Sequence, residues 1–251
     1  MTYIRSRGAN LESVQRFGSY LLDLVFPPTC VSCLRSGQWF CDFCAQCVIP
    51  APSGQECQQC GLELPGETEE LGSPCPGCKD DLGWVGVAAI HEGPLRQAIH
   101  ALKYDARVEL GPSLGRYLRA VTAAAPWPAI LRNLDGIVPV PLHGDRLLER
   151  GYNQSKLLAD GLAGGCAALV LDNAIERFKA TRSQVGLSPS ERRDNVKGKF
   201  SADSVLVSGK SLLLVDDVFT TGATMRECAS ALRESGADAV FGLALARPDT
   251  R

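Results

Sequence analysis

Four Cys-x-x-Cys pairs stand in a row near the start of the chain: Cys30/Cys33, Cys41/Cys44, Cys57/Cys60 and Cys75/Cys78, separated by 7, 12 and 14 residues. Two intervening residues let both sulfurs of a knuckle reach one ion at about 2.3 Å, and two knuckles complete a tetrahedron. Eight thiolates therefore make two structural four-cysteine Zn²⁺ sites. Sequential wiring is the simplest, and a crossed pairing fits the same spacing. Cys47 also stands at a Cys-x-x-Cys distance from Cys44 and is read as spare. A redox dithiol would not come four times over. The segment has few large hydrophobes beyond Trp39, Phe40 and Phe43. Bound metal must then supply folding energy, about 10–16 kcal/mol per structural site in peptides.

Nine of the 11 cysteines fall in this run; Cys166 and Cys228 are expected to be ordinary buried residues. Such clusters become metal sites in a reducing compartment, so a cytoplasmic location is expected. The chain has 251 residues, 45% apolar and 22% charged, which excludes a disordered polymer. No apolar run approaches the roughly 18–20 residues of a membrane span. Residues 1–26 read as an amphipathic helix with Val14, Phe17, Leu21, Leu24 and Val25 on one face. Net charge is −2, which gives no bulk attraction to nucleic acid. The expected organisation is this helix (1–26), a double zinc ribbon (27–82) and an α/β domain (83–251).

Beyond Trp84, strand-like and helix-like segments alternate. Strands are expected at 83–90, 135–141, 211–215 and 239–245, and helices at 94–104, 154–162 and 224–235. Alternation of this kind argues for a doubly wound parallel sheet with flanking helices. In such sheets ligands sit beyond the carboxyl ends of the strands.

Attention falls on LLLVDDVFTTGAT, residues 212–224. A buried strand delivers Asp216 and Asp217 to its tip, and a turn of Thr220, Thr221, Gly222, Ala223 and Thr224 opens a helix. Such a turn offers backbone N–H groups, hydroxyls and a helix N-terminus, which cradle phosphate. The carboxylates suit a diol or Mg²⁺. Together they call for a phosphorylated sugar with free vicinal hydroxyls.

This stretch resembles the phosphoribosyl-diphosphate signature of type I phosphoribosyltransferases. With the cysteine pairs, the chain resembles the ComF (ComFC) family, a double zinc ribbon joined to a type I phosphoribosyltransferase-like domain. LLDLVFPPTCVSC, Ala101–Tyr104, Val138–Leu142, Arg150–Gln154 and the Arg177–Phe200 segment are similar to its other blocks. The resemblance implies that Asp216 and Asp217 bind the ribose hydroxyls and that Thr220–Thr224 hold the 5′-phosphate. Val140, Pro141 and Leu142 would meet pyrophosphate. Lys103, Arg177 and Lys179 would face phosphate charge, the last two in a flap over 177–195. It also implies phosphoribosyl diphosphate with Mg²⁺ as ligand. In a rival, non-catalytic reading the partners are single-stranded DNA and competence proteins, and the phosphoribosyl site is a sensor. Gly144 and Asp145 depart from the pattern, standing where family members carry basic residues. His91 and His100 are expected to be structural.

Overall fold

Leu212–Val215 are all fully buried, as a strand covered on both faces requires. Around it the computed structural model, which describes residues 27–51, 81–124, 126–165, 168–178 and 198–249, builds a five-stranded parallel sheet. The strands are β1 (Val85–Ile90), β2 (Gly136–Pro139), β3 (Leu169–Val170), β6 (Ser211–Val218) and β7 (Ala239–Arg247). Their spatial order is β1-β7-β6-β2-β3. Between β3 and β6 a small antiparallel pair intervenes, β4 (Ile175–Arg177) with β5 (Phe200–Ala202).

Among the described residues the first helix is a short one in the cysteine segment, α1 (Asp42–Gln46). Helices α2 (Gly93–Tyr104), α3 (Leu110–Thr122) and α4 (Trp127–Arg132) connect β1 to β2. Next come α5 (Gly144–Arg150) and α6 (Gln154–Ala163) before β3, then α7 (Ser204–Val207) before β6 and α8 (Ala223–Glu234) before β7. One apolar cluster joins Leu213 and Val215 to Leu95 and Ile99 of α2, Leu114 of α3 and Leu158 of α6. A second joins Leu212 and Leu214 to Met225 and Cys228 of α8 and Phe200 of β5.

Each expected strand and helix of the α/β region is present, with shifted ends. The strand expected to stop at Val215 runs to Val218, because its pairing with β7 continues through Asp216 and Val218. Four helices of this region were not foreseen: α3, α4, α5 and the single turn α7. In α3 the breakers Gly111, Pro112 and Gly115 obscure the amphipathic pattern. Packing explains them. A Cβ on Gly115 would stand 2.7 Å from the Cα of Gly161, so α3 and α6 touch backbone to backbone.

The described part of the cysteine segment does not stand apart from the sheet. Cys30, Phe40, Cys41 and Cys44 belong to the same apolar cluster as α2 and α3. The Tyr117 hydroxyl donates to the Ala45 carbonyl at 3.2 Å. Ile49–Ala51 lie antiparallel against the free edge of β1: the Ala51 N–H donates to Ala88 at 3.1 Å and the Ile90 N–H to Ile49 at 2.8 Å. The expected N-terminal helix (1–26), Cys57, Cys60, Cys75, Cys78, Cys166, Lys179 and the rest of the 177–195 flap lie outside the described residues. Among the described residues no helix is long and apolar enough to cross a membrane.

Candidate sugar-phosphate site and cysteine centre

The chain leaves β2 toward β3 and leaves β6 toward β7, in opposite directions across the sheet. The crevice at the carboxyl ends of β2 and β6 is therefore the topological switch point, where open α/β sheets take their ligands. Two loops flank it, residues 140–143 and 219–222.

Loop 219–222 holds its backbone in an unusual state. Gly222 adopts φ +71°, and a Cβ there would stand 2.5 Å from the Phe219 ring, so only glycine fits. Among the described residues the N–H groups of Thr220, Thr221 and Gly222 donate to nothing. The Ala223 N–H reaches only the Thr221 hydroxyl, at 3.4 Å. Successive unpaired donors at the start of α8 form a concavity that suits an anion.

The two carboxylates at the end of β6 part company, as the pleat of a strand directs. Asp217 is 4% exposed and its Oδ1 accepts from Lys103 Nζ at 2.9 Å. Its Oδ2 is buried with no hydrogen-bond partner, an acceptor with capacity left for a ligand hydroxyl. Asp216 Oδ1 accepts from the Ser155 hydroxyl at 3.0 Å and from the Asp217 N–H at 2.8 Å. Burial, followed by the charge of Asp217, pushes the Asp216 carboxyl up to about 7, against the opposing pull of Lys103. Lys103, expected to reach an anion, pairs here with Asp217, whose charge holds its pKa up despite burial.

The segment Arg150–Ser155 organises this corner. Tyr152 donates its hydroxyl to the Leu102 carbonyl, fixing the last turn of α2 that carries Lys103. Asn153 caps α6 by accepting from the Ser155 N–H at 3.0 Å, and its Nδ2 donates to the Val140 carbonyl at 3.0 Å. Val140 itself turns its side chain into the core, so only its backbone borders the crevice; Pro141 and Leu142 are half-buried beside it. His143 Nδ1 accepts from the Asp145 N–H at 3.2 Å, so the departure at Gly144 and Asp145 opens helix α5. Arg177 ends β4, bridges to His143 and lies 5.5 Å over the Phe200 ring. Burial pulls its pKa down.

Sequence reasoning missed Ser155. The N-cap at Asn153, which places Ser155 in the first turn of a helix beside the strand tips, was the available signal. His91 directly follows β1, where burial, then Lys103 and Arg96, hold its imidazole below the usual range. His100 lies exposed near Asp105, at 3.7 Å.

The cysteine centre is geometrically simpler. The sulfurs of Cys30, Cys33, Cys41 and Cys44 all lie within 4.8 Å of one another. Cys30 and Cys44 are 3.7 Å apart, and Cys33 and Cys41 3.5 Å. A tetrahedron of Zn–S bonds near 2.3 Å has an edge of about 3.8 Å, so the set fits zinc. Burial would raise the Cys30 thiol, but hydrogen bonds to the backbone of Cys33, Cys41 and Ser32 bring it down to about 6. Cys44 is pushed up to about 12 by burial and by the crowding of the other sulfurs. A divalent cation at this set would let all four ionise together. Cys47 is exposed and outside the set. Of the aromatics, Phe40 packs edge-on against Tyr117, Arg107 covers Trp39, and Phe43 is exposed beneath Arg35.

Comparison with known proteins agrees with this geometry. Residues 147–248 match the phosphoribosyl transferase domain family. The "DNA utilization protein YhgH" of Escherichia coli K12 is 34% identical over 224 residues, 86% of this chain and 96% of that protein. The "Competence protein F" of Haemophilus influenzae is 32% identical over 81% of this chain and 90% of its own length. The chain belongs to the ComF family. "Competence protein ComFC" of Streptococcus pneumoniae is 34% identical over 111 residues, 44% of this chain and 47% of that protein. In ComF terms, a phosphoribosyltransferase-type domain carries the 219–222 loop and the aspartate pair, and a four-cysteine centre is packed onto its sheet.

Proposed function

We propose that this ComF protein binds phosphoribosyl diphosphate together with Mg²⁺ and transfers the phosphoribosyl group to a nitrogen acceptor. The observation that carries the reading is one juxtaposition: three unpartnered N–H groups of loop 219–222 beside the unpartnered, buried Oδ2 of Asp217. Asp217 and Asp216 accept hydrogen bonds from the ribose hydroxyls, and the loop donates to the 5′-phosphate. Backbone at 140–143 borders the pyrophosphate, and Arg177 and Lys179 add positive charge.

In the step itself the bond from C1′ to the pyrophosphate oxygen breaks with its electron pair leaving on pyrophosphate. A lone pair of the acceptor nitrogen forms the new C1′–N bond and the nitrogen then loses a proton. Bound with the substrate, Mg²⁺ would supply neutralising charge for the diphosphate. The protein's part is orientation and fixed dipoles, so no side-chain nucleophile is needed. The Cys30, Cys33, Cys41 and Cys44 set holds one structural Zn²⁺, and Cys57, Cys60, Cys75 and Cys78 a second.

The test is pyrophosphate release from phosphoribosyl diphosphate and Mg²⁺, screened across nucleobases and ammonia, beside calorimetry of the ligand alone. Replacing both Asp216 and Asp217 by Asn is expected to weaken binding by about 2 kcal/mol or more. Unchanged affinity in that variant refutes the site.

The names of the relatives favour a second reading, a cytoplasmic role in DNA uptake with the phosphoribosyl site as ligand sensor. Single-stranded DNA and competence proteins would then be the partners. Ala replacements at Arg182, Arg192 and Arg193, further basic residues of the 177–195 flap, separate the two. Loss of sugar-diphosphate affinity with DNA binding unchanged favours the enzyme. DNA binding that ignores phosphoribosyl diphosphate and weakens with salt at about −0.7 per phosphate contact favours the second.

A further inference from the structure

Arg226 stands where helix electrostatics disfavours it. It lies in the first turn of α8, a turn without any acidic residue, and the partial positive charge of a helix N-terminus repels a cation. Its guanidinium folds back onto the loop instead of extending into water, and Nη1 donates to the Thr221 carbonyl at 2.5 Å. The same nitrogen would stand 2.9 Å from a Cβ on Gly222, so the side chain lies directly against the left-handed residue of the loop.

A trans peptide carries its C=O and the following N–H on opposite sides. Holding the Thr221 oxygen toward Arg226 therefore turns the Gly222 N–H away from Arg226. That N–H is one of the donors without a described partner. If the same peptide flipped, its carbonyl oxygen would replace the donor and repel an anion. Glycine at 222 makes such a flip cheap, since it tolerates both signs of φ.

We propose that Arg226 is a positioning residue: through the Thr221 carbonyl it locks the Thr221–Gly222 peptide with its N–H presented to the phosphate of a sugar-phosphate ligand. The proposal rests on the sugar-phosphate reading of the loop and adds the device that keeps its donors aligned. It also accounts for an arginine in an unfavourable place, because the carbonyl contact offsets the repulsion from the helix end.

Arg226→Met keeps the length of the side chain and removes every donor; Arg226→Lys keeps a charge and one donor group. Two measurements are made on the full chain: calorimetric titration with ribose 5-phosphate, and the amide resonance of Gly222 with and without that ligand. The expected result is about a tenfold or greater weakening in the Met variant, the scale of one hydrogen bond to a charged group, with partial recovery in the Lys variant. The Gly222 amide proton should move downfield on adding ligand to the wild type and stay put in the Met variant. Wild-type affinity in the Met variant overturns the proposal, as does a Gly222 resonance that ignores the substitution. Failure of the wild type to bind ribose 5-phosphate strikes the sugar-phosphate reading itself. In that case the Gly222 resonance of the free protein still decides whether Arg226 sets the peptide.

Discussion

Lys103 and Asp217 show how one residue's charge depends on another element's geometry. The ammonium comes from the last turn of α2 and the carboxylate from the end of β6, and they meet at 2.9 Å. Replacing Lys103 by Met leaves a buried carboxylate unpaired and is expected to cost about 2 kcal/mol in urea unfolding. Adding Asp217→Asn should recover most of the loss, because the orphaned charge goes with it. Asp216 gives a pH signature. Its folded pKa, raised to about 7, lies above the unfolded carboxylate value near 4, so the folded state holds the proton longer. Stability therefore falls as pH rises from about 4 to 7 and levels above 7. Relative to Asp216→Asn, the wild-type melting temperature should decline across pH 5–7, and an unchanged difference would disprove the shift. The aspartate pair and the threonine turn were legible in the sequence because strand, acids and turn are contiguous. Ser155 was not, since a serine acquires such a role only from elements far away in the chain.

At the level of elements, the parallel strands were legible as unbroken apolar runs and the amphipathic helix α2 as a repeating stripe. Strand β6 was read too short because adjacent acids look like a turn. Their ladder continues only because Lys103 and Ser155 arrive from α2 and α6 to compensate them. Helix α3 was hidden for the opposite reason: its glycines look like breakers and are contact points. A Cβ on Gly115 meets backbone of Gly161 at 2.7 and 2.8 Å, so relief demands that a whole helix move. Gly115→Val is expected to destabilise by about 1–3 kcal/mol, the range for overpacking, as read by thermal unfolding. The same change at Gly144, where a Cβ meets nothing within 4 Å, should be close to neutral.

For the molecule as a whole, the cysteine run announced a metal centre, yet its spacing could not announce that Cys30, Cys41 and Cys44 would share a core with the sheet. Zinc analysis of protein purified without added metal is expected to give about two ions per chain, one for each four-thiolate set. A value of one would remove the second set. The position of the first set has a further consequence. Strand β1 is the outermost strand on its side of the sheet, and Ile49–Ala51, a few residues past Cys44, cover its open hydrogen-bonding groups. An uncovered strand edge is a template for pairing with another chain. A metal held by these cysteines would thereby guard a border: stripped of it, the protein would be exposed first to self-association along β1, and its solubility would follow its zinc.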